Sequence, residues 1–340
     1  PSHLGLFGYD PLQYEIGRGV LEVLGLGGEL SPTDLAVRGN FATVRYEQDG
    51  PVVIDRRAGR IPTEENRRLT DKIRSKIKSI DGVRVSIISG MEHRFALVFS
   101  FPEPLPEGAD DISDTDPQKE GNHPLRPLPR RKEAEKVAYV VERFIEKVVE
   151  IIRDEEKANY ILLRGFSKYP NLPSFGEVYG LKAAAIAAYP MYRGVARLLG
   201  MEVLEVSGTS IESEVEVLKR HFKDFDFFYF HVKKTDSYGE DGNFDAKVKV
   251  IEEFDSFIPE ILSLKPDVLV VTGDHSTPAL MKSHSWHPVP FLLASPYTRG
   301  GGSEAFSEKE CLKGELGIFR ATEAMALILS HARRLNKFGA

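Results

Sequence analysis

The sequence VLVVTGDHST at residues 268–277 decides the fold class that we predict for this chain. It opens with an unbroken run of valine and leucine between Pro266 and Gly273, which is typical of a strand buried on both faces, as in a parallel sheet. The run leads directly to Asp274 and His275. Ligands bind at the carboxyl ends of strands in open α/β sheets, and a carboxylate beside an imidazole suits a divalent cation. On this pair alone a simpler interpretation stays open, in which Asp274 caps the next element and His275 is a hydrogen-bonded loop residue.

Helix and strand patterns alternate along the chain from about residue 131. Such alternation predicts an α/β fold with a mostly parallel sheet and helices on both faces. Right-handed crossovers would place the strand-end loops along one rim of that sheet. The predicted strands span residues 160–163, 183–187, 203–206, 225–232, 268–271 and 290–293, and the predicted helices span 137–152, 192–199, 215–222, 248–262 and 322–335.

The preceding part of the chain predicts a smaller α+β domain. A hairpin pattern turns at Asp49-Gly50, an amphipathic helix follows from Thr63, and two strand patterns cover residues 83–89 and 95–101. Residues 102–130 are rich in proline, glycine and aspartate, so we expect a linker or mobile loop there, with its acidic residues in solvent.

The composition limits the classes of function. The 340 residues are 41% hydrophobic and 28% charged, which fits an ordinary globular protein with two domains. The net charge of −6 and the pI near 5.9 argue against a nucleic-acid partner, which would need a basic face. A single cysteine, Cys311, excludes an internal disulfide and favours a cytoplasmic location, and no apolar run approaches bilayer length, so we expect no membrane partner. The oligomeric state is left open, with a homo-oligomer as one possibility.

Arginine is unusually dense in the predicted smaller domain. The clusters fall at strand ends or turns, and guanidinium groups bind phosphate and carboxylate with paired hydrogen bonds, which favours an anionic substrate. A solvated charge run is the alternative for any single arginine. The clusters are Arg38-Gly39-Asn40, Asp55-Arg56-Arg57-Ala58-Gly59-Arg60 and His93-Arg94.

A second acidic cluster follows the predicted strand at 225–232. If the sheet is parallel, Asp236 and Glu240 lie on the same rim as Asp274 and His275, with His287 a short distance further along the chain. Carboxylates and imidazoles on adjacent strand ends suit a pair of divalent ions, with the metal type left open. The alternative makes Asp241-Gly242 a plain turn and Asp245 a helix N-cap, and we accept it for Asp245.

Six motifs stand out along the chain: TGDHSTP at 272–278, HPVP at 287–290, KKTD at 233–236, GRG at 17–19, RGNF at 38–41 and DRRAGR at 55–60. Together they resemble the archaeal-type, cofactor-independent phosphoglycerate mutases of the alkaline phosphatase superfamily, over essentially the whole chain. The resemblance implies an alkaline-phosphatase-like α/β domain, formed by residues 1–14 and 127–340, that binds metal. It also implies an inserted α+β domain at residues 15–126 that binds substrate.

The resemblance also implies a reaction and the residues that serve it. Members bind two divalent cations, commonly manganese, with zinc, cobalt or magnesium as alternatives here, and interconvert 3-phosphoglycerate and 2-phosphoglycerate through a phosphoserine. Asp274 and His275 would belong to the metal site that activates the serine, and Asp236 and His287 to the other. Glu240 stands where the superfamily usually has histidine. The implied substrate residues are Arg18, Arg38, Asn40, Arg56, Arg57, Arg60, His93, Arg94 and Arg126.

The amino end departs from the family pattern. Members carry a strand with a metal-binding aspartate and a Gly-Ser-Asp-Thr element just before the motifs that appear here as His3-Leu4 and Gly8-Tyr9-Asp10-Pro11. We therefore expect the nucleophilic serine upstream of Pro1, we do not assign that role to Ser2, and we expect residues 1–340 alone not to turn over.

Two other hypotheses fit the same residues. One is a metal-dependent phosphatase or phosphopentomutase of the same superfamily, which would share the metal ligands and differ in the insert. The other is a non-catalytic binding protein that keeps a degenerate metal site. A small phosphorylated carboxylate is the partner that the mutase hypothesis predicts.

Overall fold

A computed structural model describes residues 2–14, 16–299 and 302–335. Within these ranges the chain forms two compact units. The terminal unit comprises residues 2–14, 173–189, 199–299 and 302–335, and the inserted unit comprises residues 16–172 and 190–198. The insert was expected to end at residue 126, but in this division it extends to residue 172, because the helix and strand that follow residue 130 pack into its core.

The strands and helices have the following bounds. The strands are β1 (Asp34–Glu47), β2 (Gly50–Asp55), β3 (Ser79–Ile80), β4 (Val83–Ser89), β5 (Arg94–Ser100), β6 (Tyr160–Lys168), β7 (Ala183–Ala187), β8 (Glu202–Val203), β9 (Phe227–His231), β10 (Leu269–Thr272) and β11 (Phe291–Ala294). The helices are α1 (Ser2–Leu6), α2 (Arg18–Gly25), α3 (Thr63–Lys76), α4 (Glu135–Ile152), α5 (Phe175–Tyr179), α6 (Pro190–Leu198), α7 (Ile211–His221), α8 (Lys234–Asp241), α9 (Phe244–Ser263), α10 (Glu308–Cys311) and α11 (Ala324–His331). Short 3-10 turns cover Ala58–Arg60, Lys132–Ala134 and Ala321–Glu323.

The inserted unit is built on an antiparallel sheet with the strand order β2-β1-β5-β4-β3, and β6 also pairs with β1. The predicted hairpin, helix and pair of strands are confirmed as β1, β2, α3, β4 and β5. The strand predicted at 160–163 was wrongly assigned to the parallel sheet, because it forms β6, antiparallel to β1. Ile161, Leu162 and Leu163 are all buried, and a continuous apolar run suits a central strand of either kind of sheet.

Residues 102–130 are not the solvated linker that their composition predicts. The segment runs beside β6, where the Thr115 N–H donates to the Leu163 carbonyl at 2.8 Å and the Leu163 N–H donates to Thr115 Oγ1 at 2.8 Å. The Gly165 N–H donates to Asp114 Oδ1 at 2.8 Å, and the Asp116 side chain is completely buried. The carboxylates of Asp114 and Asp116 are therefore bound within the folded protein and are not left in solvent. Amino-acid composition alone cannot predict such contacts.

One aromatic pair anchors α4 to the sheet. Phe144 of α4 is fully buried and meets Phe99 of β5 edge to face, with 5.2 Å between ring centroids. Phe144→Ala should lower the free energy of unfolding by about 3–5 kcal/mol, because it removes the buried ring and leaves a cavity. Urea unfolding will measure this change. Tyr139→Ala on the same helix is the control, because Tyr139 is 52% exposed and its loss should cost far less.

The strands of the terminal unit form two small sheets within the described ranges. β8, β7 and β9 are parallel in that spatial order, whereas β10 pairs with β11 in antiparallel fashion. The predicted α/β class is confirmed. The prediction of one mostly parallel sheet holds only for β7, β8 and β9, because β10 and β11 form a separate antiparallel pair. An apolar run such as that of β10 specifies burial and does not specify the direction of its neighbour. No helix in the described part of the chain is both long and apolar enough to cross a membrane.

A buried carboxyl group stands beside the end of β7. Glu214 of α7 is 3% exposed, and burial raises its pKa to about 7 although the Ala188 N–H and the Lys234 ammonium favour its charged form. Between pH 4.5 and 7 the folded state therefore binds more protons at this group than the unfolded state, so its contribution to stability falls as pH rises through that window.

Glu214→Gln should remove this pH dependence. The variant should gain up to about 3 kcal/mol relative to the wild type between pH 5 and pH 8, because glutamine stays neutral. Urea unfolding at both pH values will measure the gain. Glu212→Gln is the control, since Glu212 lies exposed on the same helix, and an equal gain in both variants would contradict the assignment.

Candidate metal centre and anion site

Three donor side chains meet in the terminal unit after β9 and β10. Asp236 lies in the first turn of α8, His275 follows β10, and His284 lies in the loop beyond it. One donor atom from each lies within 4.8 Å of the others. Asp236 Oδ1 is 3.8 Å from His275 Nδ1 and 3.5 Å from His284 Nε2, and the two imidazole rings stack with centroids 3.9 Å apart. A carboxylate with two imidazoles fits a divalent cation such as manganese, zinc or cobalt.

Neighbouring groups keep Asp236 ionised and oriented. Burial alone would raise its pKa, but hydrogen bonds from Lys233 and Thr277 hold the pKa below its ordinary value. Thr277 Oγ1 donates to Asp236 Oδ1 at 2.5 Å and lies 3.0 Å from His275 Nδ1, so one hydroxyl contacts two of the donors. An ionised, fixed carboxylate is what cation binding requires.

Asp274 stands beside this group. Its Oδ2 lies 3.3 Å from His275 Nε2, 3.1 Å from His3 Nδ1 and 3.1 Å from Ser2 Oγ. Burial opposes ionisation, yet His3, His275 and Ser2 hold the pKa of Asp274 far below its ordinary value. The carboxylate is therefore charged at neutral pH.

The structure brings together most of the metal residues predicted from sequence. Asp236, Asp274 and His275 form one neighbourhood, and Glu240 reaches it through His284, with 3.6 Å between Glu240 Oε1 and His284 Nε2. His287 makes other contacts: its Nδ1 bonds Ser285 Oγ at 2.9 Å and its ring stacks on Trp286. His284 was not among the predicted ligands, although it is one of the histidines that follow the Asp-His pair. The assignment of all these side chains as ligands stays a prediction.

Arginines gather in the inserted unit where β1 pairs with β6. Arg38 of β1 stands directly opposite Arg164 of β6, and its guanidinium is mostly buried, with Glu22 Oε2 at 3.8 Å. Burial lowers the pKa of Arg38, Glu22 raises it, and Arg164, Arg94 and Arg18 lower it further. Four arginines thus share one neighbourhood with one carboxylate beside Arg38, which favours a bound anion.

Two buried polar groups belong to the same neighbourhood. His93 is 3% exposed, and burial together with Arg94, Arg57, Arg38 and Arg60 lowers its pKa to about 4, so it is neutral at pH 7. Asn40 is 7% exposed and pairs with Arg94 across β1 and β5. Neither Asn40 Oδ1 nor His93 Nδ1 has a hydrogen-bond partner within the described residues. Buried polar atoms of this kind are commonly satisfied by a ligand or water.

Close backbone packing brings the amino end of α2 to this pair of strands. A Cβ on Gly19 would lie 2.4 Å from the Ala36 carbonyl oxygen and 2.6 Å from that of Gly165, so only glycine permits this approach. Arg18, the first residue of α2, is placed beside Arg38 as a result.

Two of the predicted arginines bond to carboxylates of the protein, and one arginine of this cluster was not predicted. Arg56 makes paired hydrogen bonds of 2.8 and 2.7 Å to Asp116, and Arg126 pairs with Glu142 of α4 at 2.7 Å. Arg164 was missed because the sequence pattern placed its strand in the other domain. Its position opposite Arg38 depends on the pairing of β1 with β6, which no local sequence pattern predicts.

Comparisons with known proteins identify relatives of this chain. Residues 1–158 match the family model described as 2,3-bisphosphoglycerate-independent phosphoglycerate mutase. A relative in Aquifex aeolicus, named "Probable 2,3-bisphosphoglycerate-independent phosphoglycerate mutase", is 59% identical over 340 residues, covering 100% of this chain and 84% of the relative. A Thermotoga maritima relative of the same name is 53% identical over 341 residues, covering 100% of this chain and 82% of the relative.

Solved structures of similar proteins share the fold. PH0037 protein from Pyrococcus horikoshii superposes with a TM-score of 0.83 at 30% identity, covering 100% of this chain and 84% of that one. The cofactor-independent phosphoglycerate mutase from Thermoplasma acidophilum superposes with a TM-score of 0.72 at 32% identity, covering 97% and 85%. Because the relatives match the full length of this sequence at such identity, the chain belongs to the 2,3-bisphosphoglycerate-independent phosphoglycerate mutases.

Proposed function

We propose that this protein is a metal-dependent isomerase that interconverts 3-phosphoglycerate and 2-phosphoglycerate through a phosphoserine intermediate. The observation that carries the proposal is the family membership of a chain that holds both a carboxylate-imidazole cluster and a buried arginine cluster. The substrate is a small phosphorylated carboxylate, and these two clusters match its need for charge neutralisation.

The metal centre would involve the residues described above. By resemblance, Asp274 and His275 would hold one cation and Asp236 and His287 the other, and the geometry adds His284 beside Asp236. Manganese is the cation that we propose, with zinc, cobalt and magnesium as alternatives. Bound divalent cations would supply positive charge beside the reacting phosphoryl oxygens.

The protein's own side chains would control the position of the substrate. Arg38, Arg94 and Arg18 offer forked donors that match phosphate and carboxylate oxygens, and a buried site strengthens these charge-assisted hydrogen bonds. The neutral His93 and the Asn40 amide can bond the remaining hydroxyl or anionic oxygens. Holding the glycerate while its two hydroxyl groups exchange the phosphoryl group separates a mutase from a phosphatase, which releases its alcohol.

A coupled assay tests the proposal. The complete gene product, supplied with Mn²⁺ and 3-phosphoglycerate, should form 2-phosphoglycerate that enolase converts to an ultraviolet-absorbing product. Release of inorganic phosphate without 2-phosphoglycerate would support the phosphatase alternative and overturn the mutase proposal. Metal binding without turnover of either kind would support the non-catalytic alternative.

A cytoplasmic location stays a prediction, supported by the single cysteine of the sequence. Cell fractionation followed by the same coupled assay would test it.

A further inference from the structure

Asp116 is a buried carboxylate that the reaction described above does not use. Its side chain has no exposed surface, and Arg56 donates two hydrogen bonds to it, from Nε at 2.8 Å and from Nη2 at 2.7 Å. The Gln118 N–H donates to Oδ1 at 2.9 Å, and Arg164 Nη1 lies 3.6 Å from Oδ2. Asp116 therefore pairs with Arg56 through two hydrogen bonds. Arg164 lies within ion-pair distance of Asp116 but makes no hydrogen bond to it.

The segment around Asp116 fixes Arg164 from both sides. Thr115 exchanges hydrogen bonds with Leu163, and Asp114 accepts the N–H of Gly165, so the residues before and after Arg164 are tied to the same three-residue stretch. Because hydrogen bonds hold the neighbouring backbone and Asp116 lies 3.6 Å from the guanidinium, the Arg164 side chain loses less conformational freedom when it binds a ligand than an unrestrained arginine would.

Electrostatic repulsion from Arg38 disfavours the position of Arg164 when no anion is bound. It stands directly opposite Arg38 in the β1–β6 pair, and like charges opposite each other destabilise a sheet. Glu22 lies 3.8 Å from Arg38, and Asp116 already accepts both hydrogen bonds of Arg56. An anion between the two guanidinium groups would relieve this repulsion and bond to both.

We propose that Arg164 is a further substrate-binding residue, and that Asp116 is the positioning residue that holds it opposite Arg38. This inference rests on the proposed function, because it takes the ligand to be a phosphoglycerate. Arg56, which the sequence predicted as a substrate residue, then acts indirectly by fixing Asp116.

Variants of the complete gene product test the proposal. Arg164→Met should weaken 3-phosphoglycerate binding by about 10- to 100-fold in calorimetry and raise KM by a similar factor, because one charge-assisted contact is lost. The effect on kcat should be smaller. Arg164→Lys should recover part of the affinity, since it restores the charge without the fork. Asp116→Asn should also raise KM, by a smaller factor than Arg164→Met.

Matched controls separate binding from folding. Arg45→Met removes an exposed, ion-paired arginine of β1, and Asp111→Asn removes a carboxylate that pairs with Arg131 at 3.0 Å, so both should leave KM unchanged. Circular dichroism and thermal melts will identify any variant that is unfolded. If Asp116→Asn fails to fold, the comparison of Arg164→Met with Arg164→Lys decides the proposal.

The outcomes distinguish this inference from the function on which it rests. Wild-type turnover of 3-phosphoglycerate with an unchanged KM and dissociation constant in Arg164→Met would overturn the inference and leave the mutase function intact. Wild-type binding of 3-phosphoglycerate that Arg164→Met weakens, without any turnover, would uphold the inference and overturn the function. A wild-type protein that does not bind 3-phosphoglycerate would overturn both.

Discussion

Asp236→Ala should weaken Mn²⁺ binding on the order of 100-fold or more. Residues that merely orient a metal ligand commonly contribute 10- to 100-fold to affinity, so loss of a carboxylate donor should cost at least as much. The change also removes the carboxylate that Lys233 and Thr277 contact. Titration calorimetry with MnCl₂ on chelator-treated protein measures the affinity, and the enolase-coupled assay should show a parallel loss of activity.

Asp241→Ala is the matched control for this variant. Asp241 lies exposed at the other end of α8, so its removal changes the net charge equally without touching the donor group. Equal Mn²⁺ affinity in Asp236→Ala and the wild type would refute the metal assignment. His284→Ala and His287→Ala, measured in the same titration, then decide between the histidine that the geometry places beside Asp236 and the one that the resemblance implies.

Arg38→Met should reduce kcat/KM for 3-phosphoglycerate by roughly 100-fold or more. A hydrogen bond to a charged group contributes about 1.5–3 kcal/mol, and Arg38 can offer two from one buried guanidinium. Methionine keeps most of the side-chain volume, so the core of the sheet should stay packed. Steady-state kinetics with varied 3-phosphoglycerate measure the loss.

Arg45→Met controls for the loss of an arginine from the same strand. Arg45 is about two-thirds exposed and pairs with Glu47, and its replacement should leave kcat/KM within about twofold, as surface ion pairs contribute little. The affinity for Mn²⁺ should also be unchanged in Arg38→Met, because the candidate metal donors lie in the other unit. A kcat/KM equal to wild type in Arg38→Met would exclude this arginine from substrate binding.

Local sequence signals predicted the elements of the inserted unit and much of the metal cluster. The hairpin of β1 and β2 and the helix α3 follow from turn residues and apolar spacing, which depend on neighbours in the chain. Asp236, Asp274 and His275 were found because each follows an apolar strand, and strand ends carry ligands in this class of fold.

The features that sequence could not supply depend on tertiary pairing. The apolar run of β6 fits a parallel or an antiparallel neighbour equally well, so its pairing with β1, and with it Arg164, was missed. The aspartates of residues 102–130 have the composition of a solvated loop, yet Asp114 and Asp116 bind β6 and Arg56. The resemblance implied His287 through the HPVP motif, and no sequence signal placed His284 beside Asp236.

The division of the chain into two units has a consequence for biosynthesis. Nearly all of the inserted unit is one continuous stretch of chain. Its sheet can therefore fold once residues 16–172 have left the ribosome. In the terminal unit, helix α1 packs near Ala321, where a Cβ on Gly5 would lie 3.2 Å from the alanine methyl group. Helix α1 must therefore wait for partners translated more than three hundred codons later, and such distant pairings form slowly. Nascent chains should accordingly carry a finished inserted unit and an unfinished terminal unit, and chaperone protection would be needed mainly for the latter.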